Sequence, residues 1–120
     1  MRAPFFGRKQ PPADELPAFT WLSPAEAKAK LDSDQVQLID VREEWEYAAG
    51  HVPGARNLPL RTLLRQGRQD LTSDNLIFVC AVGERATVAC EMAASLGFTR
   101  VYNIRGGTNG WIASGYPVAR

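Results

Sequence analysis

Residues 78 to 89 read FVCAVGERATVA. Within NLIFVC (75–80), an apolar run from Leu76 to Val79 closes on a cysteine, Cys80. Ala81, Val82, Gly83 and Glu84 separate that cysteine from Arg85, and an alanine-rich segment with helical spacing follows. The run shows no polar alternation, which predicts a strand covered on both faces. In the segment 85–97 (RATVACEMAASLG), Thr87, Glu91 and Ser95 recur every four residues as a polar stripe, with Ala86, Ala89, Ala93 and Leu96 opposite. Small alanines on that side let the helix lie close on a sheet. A buried strand that passes through a short loop into a helix is the building unit of a parallel α/β sheet.

The same alternation extends outward. Upstream, VQLIDV (36–41) predicts a second buried strand and downstream RVYNI (100–104) a third. AFTWLS (18–23) reads as a short edge strand. Ser23, Pro24 and Glu26 make a helix start, with an N-cap, proline at the first position and the glutamate of a capping box, for a helix ending near Asp32. EEWEYAAG predicts a short helix stopped at Gly50, RTLLRQG another, and GGTNGWIASG a last one opening on a glycine pair. HVPGARNLPL, punctuated by proline and glycine, reads as mostly loop. The expected fold class is α/β, a mostly parallel central sheet covered by helices on both faces. Residues 1–17 (MRAPFFGRKQPPADELP) show no period and read as a tail or extended lead-in, leaving 18–120 as the domain.

Bulk properties narrow the function. A chain of 120 residues fits one core. Lys plus Arg is 14 against 13 for Asp plus Glu, so net charge gives no reason to expect nucleic acid or a membrane surface as partner. No apolar run approaches the length of a bilayer span, and Arg2, Phe5, Phe6, Arg8 and Lys9 do not form the apolar stretch of a signal peptide. Two cysteines make no disulfide framework. On a helix starting near Arg85, Cys90 lies roughly 7 Å along the axis, which disfavours a bridge to Cys80. A reducing, cytoplasmic setting is expected.

In an open α/β sheet, ligands bind beyond the carboxyl ends of the strands. Cys80 lies at such an end, and so do Asp40 and Arg42. The amides of Ala81, Val82, Gly83, Glu84 and Arg85 can turn inward to form an anion-binding concavity, to which a helix N-terminus adds partial positive charge. Both favour a thiolate over a thiol at Cys80. Gly83 lets the backbone curl, Arg85 brings a full positive charge to the rim, and Glu84 is expected to face solvent. Cys90 has no such loop and reads as structural. Asp40 and Arg42, two apart, read first as an ion pair fastening the following helix. His51 reads as a hydrogen-bonded turn residue, Trp111 as a packing anchor, and Arg61, Arg65 and Arg68 as a solvated basic face or a docking patch.

Three stretches in order, LIDVREEWEYAAGHVPGARNLPL, FVCAVGERA and GFTRVYNIRGGTNGWIASGYPV, carry four motifs (Asp-Val-Arg, Gly-His-x-Pro-Gly-Ala, the cysteine loop and Gly-Gly-x-x-x-Trp) and resemble the rhodanese family of single-domain sulfurtransferases over roughly residues 18 to 119. The resemblance implies a rhodanese-like fold and a sulfane sulfur that passes from a small anionic, thiosulfate-like donor through a persulfide on Cys80 to a thiol or cyanide-like acceptor, or to and from a protein partner. It implies backbone binding by residues 81–85, a donor contact from the Arg85 side chain, a largely structural Asp40–Arg42 pair, and no metal or organic cofactor. Two rivals stand beside it. Dual-specificity phosphatases share a related fold but place five residues between cysteine and arginine, where this chain has four. Non-catalytic rhodanese-like modules serve as binding or regulatory units and often lack the cysteine.

Overall fold

The structure, a computed structural model, describes residues 17–120. The predicted lead-in therefore lies outside the described residues, apart from Pro17. The elements run β1 (Thr20–Leu22), α1 (Pro24–Ser33), β2 (Gln37–Asp40), α2 (Glu44–Ala49), β3 (Arg56–Asn57), α3 (Leu60–Asp70), β4 (Leu76–Val79), α4 (Glu84–Ser95), β5 (Val101–Ile104) and α5 (Gly107–Ala113). The strands form one sheet in the order β1-β5-β4-β2-β3, and every pairing is parallel. This is the expected α/β architecture. From β2 the chain steps outward to β3, and from β4 it steps to the other side, so the reversal of winding falls beside the carboxyl end of β4. That is where open parallel sheets hold their ligands.

Alternation along each central strand builds two cores. Leu76, Phe78 and Cys80 of the β4 segment join Ile39 and Val41 under α3 and α4, where Ala86, Ala89, Cys90 and Ala93 supply the facing surface. Ile77 and Val79 point the other way, with Leu38, Ile104, Ala27 of α1 and Trp111 of α5. Apolar side chains on both faces of one strand are why β4 shows no period in the sequence. The capping box at α1 forms as read: Ser23 Oγ accepts from the Glu26 amide at 3.0 Å, and Glu26 Oε1 accepts from the Ser23 amide at 2.8 Å.

Two elements depart from the sequence reading. HVPGARNLPL is mostly loop, as read, but it also carries a strand the sequence does not announce: Arg56 and Asn57 pair with Ile39 and Asp40 as β3. A strand of two residues has no periodicity to read; its place is held instead by the Asn57 side-chain amide, which donates to the carbonyls of Asp40 and Arg42. The helix expected at RTLLRQG extends to Asp70. Gln66 (φ −139°, ψ 30°) breaks its path, and the chain resumes with Gly67 against Met92, where a Cβ would come within 2.8 Å of the Met92 Cε. Among the described residues no helix is long and apolar enough to cross a membrane.

Asp74 ties the starts of β4 and β5 together. Its carboxylate accepts from the Thr99 hydroxyl at 2.7 Å and from the amides of Asn75, Thr99 and Arg100. Burial pushes this carboxyl up, but the Thr99 hydroxyl and the three amides outweigh it and hold the group at about 2. A carboxylate depressed in the folded state contributes its stability above the unfolded value and loses it as pH falls through the folded one. The stabilisation from Asp74 is expected to be complete above about pH 4 and to fade between about pH 4 and 2. Denaturant melts across that window should show Asp74→Asn less stable than the parent at neutral pH, with a shallower acid slope.

Candidate active site

Cys80 follows the last residue of β4, and two backbone amides reach its sulfur. Gly83 N–H donates to Sγ at 3.0 Å and Ala86 N–H at 3.3 Å. Ala86 lies in the first turn of α4, whose opening amides have no carbonyl a turn behind them. The sequence assigned the cradle to residues 81–85. Of those amides, Gly83 alone bonds Sγ, and the second donor sits one residue further on, because the curl at Gly83 brings the first turn of α4 over the sulfur.

Three contacts hold the loop in this form. Gly83 has φ 115°, a left-handed conformation that glycine adopts without strain, and the Trp21 ring lies 3.4 Å from where a Cβ would be. The Gly83 carbonyl is turned away from the sulfur by three donors: Thr87 N–H at 3.0 Å, Thr87 Oγ1 at 2.9 Å and Asn103 Nδ2 at 3.1 Å. Behind the loop, the amides of Thr108 and Asn109 donate to the carbonyls of Cys80 (2.8 Å) and Ala81 (3.1 Å). Gly107 makes that approach possible. It has φ 61°, and a Cβ there would lie 2.5 Å from both of those carbonyl oxygens.

The charged residues are distributed around this loop. Arg85 is not a free charge at the rim: its Nη1 and Nη2 meet Glu46 Oε1 and Oε2 of α2 at 2.8 and 3.0 Å. That bidentate bond, set against burial and helped by the Glu43 amide and the neighbouring cations, holds the Glu46 carboxyl down at about 2. Glu84 is exposed, as expected, and so is Val82. Asp40 and Arg42 form a buried pair, Arg42 Nη2 to Asp40 Oδ2 at 2.8 Å. The same Arg42 nitrogen donates to the Gly50 carbonyl, so the pair fastens the end of α2. His51 Nδ1 lies 2.8 Å from the Tyr47 carbonyl and its ring stacks on Tyr47 at 3.7 Å.

The two cysteines differ sharply. Cys90 is fully buried, its thiol donates to the Tyr102 carbonyl, and burial pushes that thiol far above its ordinary range. Cys80 is also covered, at 1% exposure, but by a loop that aims amides at it. A reagent reaches the sulfur only past this loop. Two amides converging on one sulfur favour negative charge at that atom. Among the described residues no cluster of His, Cys, Asp or Glu could hold a metal ion.

Sequence reasoning missed Glu46, Thr87, Asn103 and Thr108, and it read Gly107 only as half of the glycine pair that opens the last helix beside Trp111. Asn103 carried a readable signal: it is a polar side chain in the middle of the buried strand VYNI, and a buried amide must find partners. Glu46 carried none, because its capping-box spacing with Glu43 accounts for it locally.

Gly107→Ala should collapse this support. The new methyl would meet two backbone oxygens that cannot swing aside, and the left-handed backbone alone adds about 1–2 kcal/mol. The expected outcome is a lower melting temperature together with faster modification of Cys80 by a bulky thiol reagent, as the loop lifts off α5. Unchanged modification kinetics would show that α5 does not hold the loop.

The comparisons with known proteins bear on the family and the fold. The rhodanese-like domain model matches residues 23–114, a span that runs from α1 to α5 and includes the Cys80 loop. The protein YqhL of Bacillus subtilis is 37% identical over 78 residues, covering 64% of this chain and 61% of that protein. The human thiosulfate:glutathione sulfurtransferase is 32% identical over 101 residues, covering 72% of this chain and 88% of that one. A rhodanese-related protein from Thermoplasma volcanium superposes with a TM-score of 0.75 at 28% identity, over 84% of this chain and 98% of its own. With the cysteine loop, the parallel sheet and the matched span in agreement, this chain belongs to the rhodanese-like domain family.

Proposed function

We propose that the protein is a sulfurtransferase that moves a sulfane sulfur from a donor such as thiosulfate to a thiophilic acceptor through a persulfide on Cys80. The observation that carries this reading is the pair of amides, from Gly83 and Ala86, directed at the Cys80 sulfur. The sulfurtransferase relative supports it.

The Cys80 thiolate attacks the outer sulfur of thiosulfate. A new S–S bond forms, the old one breaks, and sulfite leaves with the electron pair. The persulfide anion then sits inside the loop. Amides that already face the sulfur need no reorganisation as charge moves outward by one atom, which is the advantage of a preformed electrostatic cradle. The amides of Glu84 and Arg85 open α4 and have no intrahelical acceptor, so they are at hand for the outer sulfur. Cyanide or a thiol then attacks that sulfur and returns Cys80 to the thiolate. Asp40 and Arg42 act by holding α2 in place, not by touching the substrate. The chemistry requires a reduced Cys80, so the setting we propose is a reducing one such as the cytoplasm.

The near-complete burial of Cys80 favours a second reading, a binding module whose cysteine is never turned over. One experiment separates the two. Intact-mass measurement after exposure to thiosulfate should show the gain of one sulfur atom, its absence in Cys80→Ser, and its loss with release of thiocyanate on adding cyanide. A wild-type protein that stays unmodified by several donors would leave the binding module as the better reading.

A further inference from the structure

Resting on the sulfurtransferase reading, we infer that Glu46 is the residue that sets donor specificity: by cancelling the charge of Arg85 it turns the site away from dianionic inorganic donors and toward a persulfide carried on an organic thiol. Arg85 is the one cation in the stretch from Cys80 to Ala86. An anionic donor entering the mouth would look to it. Its guanidinium is instead engaged fork to fork by the Glu46 carboxylate, the strongest geometry an arginine offers.

Glu46 is not a loose surface group that a substrate displaces. Its side chain is 16% exposed against 37% for Arg85, and its Oε1 also accepts from the Glu43 amide at 2.9 Å, closing the capping box of α2. The α2 helix is fastened in turn by the Arg42 bond to Gly50. The carboxylate is thus anchored by a helix start. It also remains ionised far below neutral pH. Of the remaining charges, one cation, Arg105, lies over the Trp21 ring that packs against Gly83, on the side of the loop away from the Glu46 pair. Glu84 is exposed on the loop, Glu44 lies in the first turn of α2, and Arg61 is drawn to Glu43.

Charge counting shows what this excludes. Attack of the Cys80 thiolate on thiosulfate gathers three negative charges, those of the thiolate and the dianion, and ends with a persulfide anion and sulfite. Attack on a thiol persulfide, R–S–SH, gathers one. The thiolate pair forms the new S–S bond, the old bond breaks with its pair leaving on R–S⁻, and the proton stays on the transferred sulfur. Nothing is oxidised or reduced overall. A mouth whose only loop cation is already neutralised suits the second reaction. An exposed apolar side chain on the loop itself, Val82 at 53%, suits an organic carrier and offers nothing to an inorganic one.

The test compares sulfur loading of the full chain by two probes, thiosulfate and the persulfide of N-acetylcysteamine, whose body is uncharged. Single-turnover loading is followed by intact mass. The wild type should reach half-saturation at a lower concentration of the persulfide. Glu46→Gln keeps an oxygen for the Glu43 amide but frees Arg85, so half-saturation by thiosulfate should fall about five- to tenfold while that of the persulfide and both maximal rates stay within about twofold. Adding Arg85→Gln to Glu46→Gln should abolish the gain. A merely structural role for Glu46 would move both donors together, and that result overturns the inference. Wild-type protein alone gives a second measurement. Added salt should barely change thiosulfate loading, whereas a strong loss with salt would show Arg85 acting as a free cation and would also overturn it. Loading by neither probe would overturn the sulfurtransferase reading itself, whereas a site that loads from both and fails the charge comparison leaves that reading intact.

Discussion

The hydrogen bonds from α5 to the back of the cysteine loop are the constraint on which the site depends. A trans peptide unit is planar, with its carbonyl and N–H pointing in opposite directions. When Thr108 and Asn109 bind the carbonyls of Cys80 and Ala81, the amides of Ala81 and Val82 are committed to the opposite side of the loop. When Thr87 and Asn103 bind the Gly83 carbonyl, the Glu84 amide is committed likewise. The loop is therefore held from outside through the oxygens of Cys80, Ala81 and Gly83, and the two amides that bond Sγ, those of Gly83 and Ala86, sit on the backbone so held. A loop held only by its own residues would relax its carbonyls toward the interior and meet an anion with the wrong end of the dipole.

The strand order supplies these outer contacts from different parts of the chain. Central β4 carries the cysteine. Its neighbour β5 delivers Asn103 to one side and passes straight into the glycine pair that opens α5. Edge strand β1 brings Trp21 against Gly83, and Arg105 lies over that ring at 5.1 Å. On the other side β2 ends in the Asp40–Arg42 pair, which anchors α2 and with it Glu46. Each support emerges from the carboxyl edge of the sheet, so the site draws its rigidity from the same parallel pairing that makes the fold.

The fold was readable because its rules are local. The capping box at Ser23, the stop at Gly50, the unbroken apolar runs and the alanine face of α4 each announce themselves within a few residues. So did the cysteine loop, where a strand end, a glycine and a helix start adjoin. What the sequence hid were relations across distance. Glu46 lies 39 positions from Arg85, and Gly107 closes on Cys80 from a helix of its own. A glycine pair announces freedom of the backbone but not which atoms need the space. The strand at Arg56–Asn57 was hidden for another reason: two residues cannot display a period, and their pairing is imposed by a neighbour.

With Arg85 paired to Glu46, the recognition we infer for this site rests on dipoles rather than on a net charge. The distinction has physical consequences. A free cation attracts any anion over a Debye length and is weakened by salt. Fixed amides act only at contact, and they discriminate by position. The two that reach Sγ converge on one atom at 3.0 and 3.3 Å. The chain from Cys80 to Arg85 is one residue shorter than the phosphatase loop it was compared with, and a shorter ring of amides closes on a smaller anion. Tight convergence, burial of the sulfur and cancellation of the nearby cation all act in one direction. Under the proposed chemistry they favour an anion that is already part of the protein, a sulfur chain grown on Cys80, over one that arrives from solution.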